Sequence, residues 1–490
     1  MFKLNSFYLS ISRSDLFKNG FWGLTGRIFE TLFLTLFFII ISQRFITNDF
    51  AIYLLSNNIY QLLVGFSTMG LGSWFIREHA NEPKKSEFFN KFLKIQIGLG
   101  IFFYLFNVCL IFMFYHDEYL RIISIVLGIN IIFDNIIYAL RSLNIAELQQ
   151  RKTAIIMAID GLLKLAISCL LFVYPFSVLT LSIFLVVIRF FTVNLFIRIG
   201  FSTKINLVKL LYSKISFPTI KEHLFSNWRF GVIVWLSIVF WRSATIIISQ
   251  FLALNDVANY EIAYKVFSVF LILPMIVSTT IYPKFVQYFA NNNNIAIIKL
   301  YKNVFIAYSI FCMLSYAFIQ SFADIVIPYI FGKNYLQAAV CLKDMFLTFL
   351  IFPTALLQAN LLVAIKLEKI DMYLNMIALT VFYIGCFVGL YFYKALFVIN
   401  YSIFGAFFLF HFIQNILLSK FKFASLKISF GFYFVLLIFI VTYQIAIIKM
   451  NGIIIFVCFV CIVTSILIYF IYKNYNSWFY PSYASIESED

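Results

Sequence analysis

The chain carries one motif twice, reading ISQRFITNDFAIY at Ile41–Tyr53 and ISQFLALNDVANY at Ile248–Tyr260. Seven of the thirteen positions are identical without a gap, at a constant offset of 207 residues. Each copy follows one long apolar segment and precedes another. Repetition at a fixed offset indicates related structural units. The motif therefore predicts a chain built from two similar halves, an arrangement that is common in transport proteins.

The composition is that of a membrane protein. Hydrophobic residues make up 63% of the 490 positions and charged residues only 12%, whereas soluble domains carry about 25% charged residues. A helix needs about 20 mostly apolar residues to cross a bilayer, because its backbone groups must be satisfied within the segment. The sequence therefore predicts an all-α integral membrane protein.

Fourteen stretches of the chain meet this length requirement, as two sets of six helices and a final pair outside the repeat. The predicted spans are 22–44, 52–76, 93–115, 119–143, 154–174, 177–199, 228–250, 257–283, 301–321, 338–365, 371–393, 396–418, 430–449 and 452–472. The predicted domains are a cytoplasmic N-terminal segment at 1–21, an N-lobe at 22–199, a cytoplasmic linker at 200–227, a C-lobe at 228–418, the extra pair at 430–472 and a cytoplasmic tail at 473–490.

Basic residues are distributed unevenly between the predicted loops on the two sides of the membrane. With the N-terminus inside, the outer loops hold only five Lys and Arg, namely Arg44, Arg121, Lys333, Lys394 and Lys449. Because Lys and Arg collect in cytoplasmic loops, this asymmetry predicts that both termini are cytoplasmic. It also accounts for most of the net charge of +16 without a nucleic-acid partner.

The two six-helix lobes are predicted to be parallel repeats. Each lobe has an even number of helices, so the second lobe enters the membrane from the same side as the first. The same offset aligns Arg77 with Lys284 and Asp117 with Asp324. Parallel repeats are related by an axis along the membrane normal, and we expect a central cavity between the lobes.

Seven charged residues within the predicted spans are the candidates for a functional site: Asp134, Asp160, Lys164, Arg189, Arg242, Glu261 and Lys265. A charge inside a membrane is costly unless it faces a partner or water, so each of these residues is a functional candidate. The i,i+4 spacing predicts local ion pairs between Asp160 and Lys164 and between Glu261 and Lys265.

Arg189 and Arg242 have no oppositely charged residue at such a spacing. Arg242 and Lys265 lie at similar distances from the outer ends of their helices, so they could form a layer of cations. The planar fork of Arg matches phosphate or carboxylate groups. We therefore predict that Arg242, Lys265 and Arg189 bind an anionic substrate. The alternative is that each cation is held by backbone carbonyls or by a carboxylate elsewhere in the fold.

The cysteines and histidines give no indication of a cofactor. All seven cysteines lie in apolar runs, and the four histidines fall on different segments without the spacing of metal ligands. Metal and redox sites need clustered, accessible ligands. The sequence therefore predicts no metal, no cofactor and no catalytic residue.

Two stretches resemble a known family of membrane proteins. Leu252–Lys284 is similar to the seventh loop and eighth helix of bacterial polysaccharide exporters, in its Tyr260, Ala263, Tyr264, Pro274, Pro283 and Lys284. Ile327–Tyr335, reading IPYIFGKNY, is similar to the outer loop that precedes the tenth helix of that family. The chain thus resembles the Wzx-type O-antigen flippases of the multidrug/oligosaccharidyl-lipid/polysaccharide exporter superfamily.

The resemblance implies a function in the bacterial inner membrane. Members of this family move a polyprenyl-pyrophosphate-linked oligosaccharide from the cytoplasmic face to the outer face, where it is polymerised into O-antigen or capsule. The implied mechanism is alternating access by rocking of the two lobes, and the implied partners are the lipid-linked oligosaccharide, membrane lipids, a polymerase and other assembly proteins. Coupling to an ion gradient would use Asp134, Asp160 or Glu261.

Two other functions are considered beside this one. A cation-coupled drug antiporter of the same superfamily usually has twelve helices and requires a carboxylate as its cation site. An O-antigen polymerase or membrane glycosyltransferase would be expected to carry a large outer loop or a clustered acidic motif at one membrane face. The fourteen predicted spans, the excess of cations and the short outer loops favour the flippase, which is not an enzyme.

Overall fold

A computed structural model of the protein describes residues 15–79, 85–199 and 228–479. Within these ranges the regular structure is helical, with one 3-10 turn at Lys333–Tyr335. The helices are α1 Asp15–Arg44, α2 Thr47–Thr68, α3 Leu71–His79, α4 Lys85–Phe114, α5 Glu118–Gly128, α6 Asn130–Ala146, α7 Gln150–Leu170, α8 Val178–Ile199, α9 Trp228–Phe251, α10 Leu254–Ala290, α11 Asn294–Phe331, α12 Leu336–Phe349, α13 Phe352–Ala364, α14 Glu368–Phe392, α15 Leu396–Lys420, α16 Leu426–Lys449 and α17 Gly452–Phe479.

The all-helical class is confirmed, and each of the fourteen predicted spans falls on one helix or on two consecutive helices. Ten helical segments of the described ranges are long and apolar enough to cross a membrane, and 238–251 and 452–465 are shorter apolar helices. The count of fourteen membrane crossings therefore stays a prediction. The linker at 200–227, the chain before residue 15 and the tail after residue 479 lie outside the described residues.

The described residues form two compact units. The first unit runs to Ile262 and includes the short segments Ile330–Asn334 and Leu390–Ile399, and the second unit holds the rest. In the first unit, most residues of α2 are buried. Its polar side chains hydrogen-bond to neighbouring helices, as in the Ser56–Ser124 pair at 2.7 Å. Such bonds stabilise helix packing in lipid, where hydrophobic association is weak.

The second predicted span is interrupted between α2 and α3. Met69 and Gly70 both have left-handed backbone conformations, with φ of 48° and 62°, and glycine adopts this conformation without steric cost. Side chains distant in sequence satisfy the freed backbone groups: Trp235 Nε1 donates to the Phe66 carbonyl at 3.1 Å, and Gly72 N donates to Tyr138 Oη at 2.8 Å. Breaks in membrane helices are tolerated where side chains supply such partners.

In the second unit, the extra helix α16 is hydrogen-bonded near both of its ends. Near its start, Ser429 Oγ donates to Asn415 Oδ1 at 2.7 Å, and Tyr433 Oη lies 2.7 Å from His411 Nδ1. Near its end, Tyr443 Oη donates to the Ala317 carbonyl at 3.0 Å. Hydrogen bonds between membrane helices contribute about 0.6–2 kcal/mol each. We therefore regard α16 as an integral part of the second unit.

Candidate functional site

Four ionisable side chains from α6, α7 and α8 meet inside the first unit. The Arg189 Nε atom lies 3.1 Å from Asp134 Oδ1, and Arg189 Nη1 lies 3.2 Å from Asp160 Oδ1. The Lys164 Nζ atom lies 2.7 Å from Asp160 Oδ2, which confirms the predicted i,i+4 pair. The cluster contains two carboxylates and two cations, so its formal charge is zero.

The two carboxylates of this charge cluster differ in how firmly they are held. The Asp160 side chain is 1% exposed, and it accepts from Thr192 Oγ1 at 2.8 Å in addition to its two ion pairs. The Asp134 side chain is 13% exposed and pairs with Arg189 alone among the described residues. Because an ion out of water is stable only when it is paired and hydrogen-bonded, Asp160 is the better-compensated carboxylate.

Arg242 lies in a different electrostatic environment. Its Nη1 donates to the Asn58 Oδ1 atom at 2.8 Å, and Asn58 is itself buried on α2. Among the carboxylates that the structure describes, none lies within 4 Å of Arg242. Arg242 is half-buried, and the amide that holds it is neutral. Among the described residues, Arg242 therefore forms no ion pair.

Close packing fixes the distance between α9, which carries Arg242, and α2, which carries Asn58. A Cβ atom added at Gly65 would lie 2.3 Å from the Ile238 Cδ1 atom, so the glycine leaves the space that the Ile238 side chain occupies between the helices. The rings of Phe66 and Trp235 pack edge to face nearby, with centroids 5.6 Å apart. The Arg242–Asn58 contact therefore belongs to a well-packed helix interface rather than to a mobile surface.

The remaining two predicted residues lie on α10. Glu261 belongs to the first unit, is buried and accepts a hydrogen bond from Thr245 Oγ1. Lys265 is half-buried and belongs to the second unit. The predicted layer of Arg242 with Lys265, and the predicted pair of Lys265 with Glu261, both join residues of different units. They therefore stay predictions.

The structure thus brings together Asp134, Asp160 and Arg189 and places Arg242 at a separate position of the same unit. The alternative that a carboxylate elsewhere in the fold holds the cation is confirmed for Arg189, which pairs with Asp134 and Asp160. The contacts of the two arginines on α2 could not be predicted from the sequence. Tyr60, which lies beside Arg189, and Asn58 are both uncharged residues of α2. One sequence signal does single out Asn58, since it aligns with Lys265 at the repeat offset and so marks a position where the two halves differ.

Comparison with solved structures identifies the class of fold. The chain matches the inward closed conformation of the lipid II flippase MurJ with a TM-score of 0.66 and 15% identity, over 92% of this chain and 99% of that chain. It also matches the inward-facing conformation of a multidrug resistance MATE family transporter of the MOP superfamily, with a TM-score of 0.64 and 14% identity, over 81% and 96% of the two chains. The fold is that of a MOP superfamily transporter.

A comparison with protein-family models identifies the family of the chain. The model for the polysaccharide biosynthesis protein family matches residues 16–289, which is more than half of the sequence. No curated protein sequence matches the chain. The chain belongs to the polysaccharide biosynthesis protein family, and the resemblance to Wzx-type polysaccharide flippases is confirmed at this level.

Proposed function

We propose that the chain is a flippase that moves a polyprenyl-pyrophosphate-linked oligosaccharide across the bacterial inner membrane for O-antigen or capsule biosynthesis. Its family and its transporter fold support this proposal. The observation that carries it is Arg242, a half-buried cation in an apolar segment whose described protein partner is a neutral amide. Such a cation is electrostatically suited to a strongly anionic group that enters the membrane with its lipid.

In this proposal, Arg242 is the main contact of the pyrophosphate. An Arg guanidinium presents five donors in a planar fork, remains charged when desolvated and binds phosphate oxygens in pairs. One nitrogen is engaged with Asn58, which orients the group and leaves further donors for the ligand. Lys265 is proposed as a second contact, on the basis of its charge and of its predicted distance from the outer end of its helix. Arg189 is proposed as a weaker one, since two carboxylates already neutralise it.

Asp134, Asp160 and Glu261 are proposed as the residues that couple transport to an ion gradient. Asp134 is the strongest candidate of the three, because it has one described ion-pair partner and is more exposed than Asp160. A proton bound at Asp134 would release one side of the Arg189 fork and leave the cluster with a formal charge of +1. Transport itself would proceed by alternating access, as the implied rocking of two lobes allows.

The proposal also assigns a cellular context. The protein would lie in the inner membrane with both termini in the cytoplasm, and it would deliver the repeat unit to a polymerase and other assembly proteins. The matching structures include a lipid II flippase and a multidrug transporter, so one fold serves both kinds of substrate. The carboxylates of the charge cluster are already paired with cations, which favours an anionic substrate over a cationic drug.

Deletion of the gene in its bacterial host tests the proposal. Lipid-linked repeat units should accumulate on the cytoplasmic face of the membrane, and surface polysaccharide should be lost. Complementation with the wild-type chain should restore both, whereas Arg242→Gln should restore neither at equal membrane levels. Arg198→Gln, which alters an exposed arginine at the end of α8, is the matched control. Unchanged sidedness of the lipid-linked units in the deletion strain would reject the flippase function.

A further inference from the structure

Two amide side chains lie on α2 next to the residue that holds Arg242. Asn57 and Gln61 are one helical turn apart and are both half-buried, whereas most residues of this helix are fully buried. Asn57 immediately precedes Asn58, so the amide pair lies at the edge of the helix face that contacts Arg242. Residues four apart share a face of a helix, and adjacent residues are about 100° apart around it.

The pair retains free hydrogen-bonding groups. Gln61 Nε2 donates to Asn57 Oδ1 at 3.3 Å, which is a long hydrogen bond. Within the described ranges, Asn57 Nδ2 and Gln61 Oε1 have no partner. An amide without a partner is costly in hydrocarbon, so half-exposed amides on a membrane helix are suited to face water or a polar ligand. The pair offers both a donor and an acceptor at one place.

The sequence repeat argues against a purely structural role for the pair. At the offset of 207, Asn57 aligns with Tyr264 and Gln61 aligns with Ser268. If the repeated fold itself required this pair of amides, the pair would be expected in both halves of the sequence. The amide pair occurs only in the first half of the sequence. Likewise, Arg242 occurs only in the second half, because the first half has Thr35 at the position that aligns with it.

We infer that Asn57 and Gln61 bind hydroxyl or acetamido groups of the sugar that is linked to the pyrophosphate contacted by Arg242. This inference rests on the proposed function. An amide both donates and accepts, as is needed to hydrogen-bond sugar hydroxyls. The neighbouring Arg242 disfavours a cation at the pair, because like charges in a low dielectric repel strongly. The amide pair thus gives the site a contact to the glycan that is separate from its contact to the pyrophosphate.

Binding measurements on the purified full-length chain in lipid nanodiscs test this inference. One probe is polyprenyl pyrophosphate alone, and the other is the lipid-linked oligosaccharide extracted from the deletion strain described above. For the double variant Asn57→Leu and Gln61→Met, the affinity for the glycan-bearing lipid should fall about tenfold, the effect of losing two hydrogen bonds. Its affinity for polyprenyl pyrophosphate should stay within about twofold of wild type, since the Arg242 contact is intact.

The control variant is Asn194→Leu, which removes another half-exposed amide from a helix of the same unit. It should bind both lipids as the wild type does. The single variant Gln61→Met should bind the glycan-bearing lipid about threefold more weakly and polyprenyl pyrophosphate as the wild type does. It replaces the double variant in this test if the double variant does not fold.

Two outcomes for the variants would overturn the inference. An unchanged affinity of the double variant for the glycan-bearing lipid would exclude a sugar contact at the pair. An equal loss for both lipids would show that the amides support the pyrophosphate site or the fold instead. If the wild-type chain bound neither lipid, the proposed function itself would fail, and the inference would fall with it.

Discussion

Arg189 and Arg242 are both intramembrane arginines of the first unit, and both contact α2, at Tyr60 and Asn58 respectively. They nevertheless differ in whether negatively charged side chains balance their positive charge. Two carboxylates neutralise Arg189, whereas a neutral amide holds Arg242. A buried cation with carboxylate partners mainly joins the helices that carry them. A cation without such a partner can form an ion pair with an anionic ligand. The difference therefore ranks Arg242 above Arg189 as a candidate binding residue.

The largest effect is expected from removing the compensated arginine. Arg189→Gln would leave two carboxylates with only Lys164 to balance them, and breaking a buried ion pair costs about 3–5 kcal/mol. We expect a strongly lowered unfolding temperature in detergent and a reduced amount of protein in the membrane. Arg198→Gln, at the exposed end of the same helix, should change neither. A fully stable Arg189→Gln protein would remove the distinction between the two arginines.

Substitution of the two carboxylates of the charge cluster by asparagine should lower the unfolding temperature in detergent by different amounts. Asp160→Asn would leave Lys164 buried without its carboxylate and should cost about 3 kcal/mol. Asp134→Asn removes one ion pair at a more exposed position and should cost about 1.5 kcal/mol. Equal losses for the two variants would contradict the difference in burial and partners on which this ranking depends.

A smaller change in stability, with a large change in function, is expected from Asn58→Asp. The new carboxylate would pair with Arg242 and make its surroundings resemble those of Arg189. Burying an ion pair in place of a neutral contact changes stability less than breaking a buried pair does, because desolvation offsets the attraction. Complementation of the deletion strain should be lost, since the cation is no longer available to an anion. Full complementation would show that the charge of Arg242 is not needed.

The helices of the fold could be predicted because lipid leaves few alternatives to a continuous hydrogen-bonded helix. The break at Met69–Gly70 could not be predicted, since it depends on donors such as Trp235 that lie far away in sequence. Gly70 is a signal for such a break, but a glycine within an apolar stretch is also common in unbroken membrane helices.

The charged residues of the site could be selected from the sequence, but their grouping could not. The Asp160–Lys164 pair follows from spacing on one helix, whereas the contact of Arg189 with Asp134 depends on the packing of α6 against α8. Asn58 carries no charge and lies in an apolar stretch, so nothing local marks it as the partner of Arg242. Its mismatch with Lys265 in the repeat is the one signal that could have singled it out.

The central claim is that Arg242 contacts the pyrophosphate, and the affinity of the purified chain for polyprenyl pyrophosphate in nanodiscs tests it most directly. Arg242→Gln should lower the unfolding temperature less than Arg189→Gln does, because it breaks a hydrogen bond to a neutral amide and no ion pair. Its affinity should fall at least about tenfold, the effect of losing one charged hydrogen bond, while Arg198→Gln binds as the wild type does. An Arg242→Gln protein with wild-type affinity for polyprenyl pyrophosphate would contradict the claim.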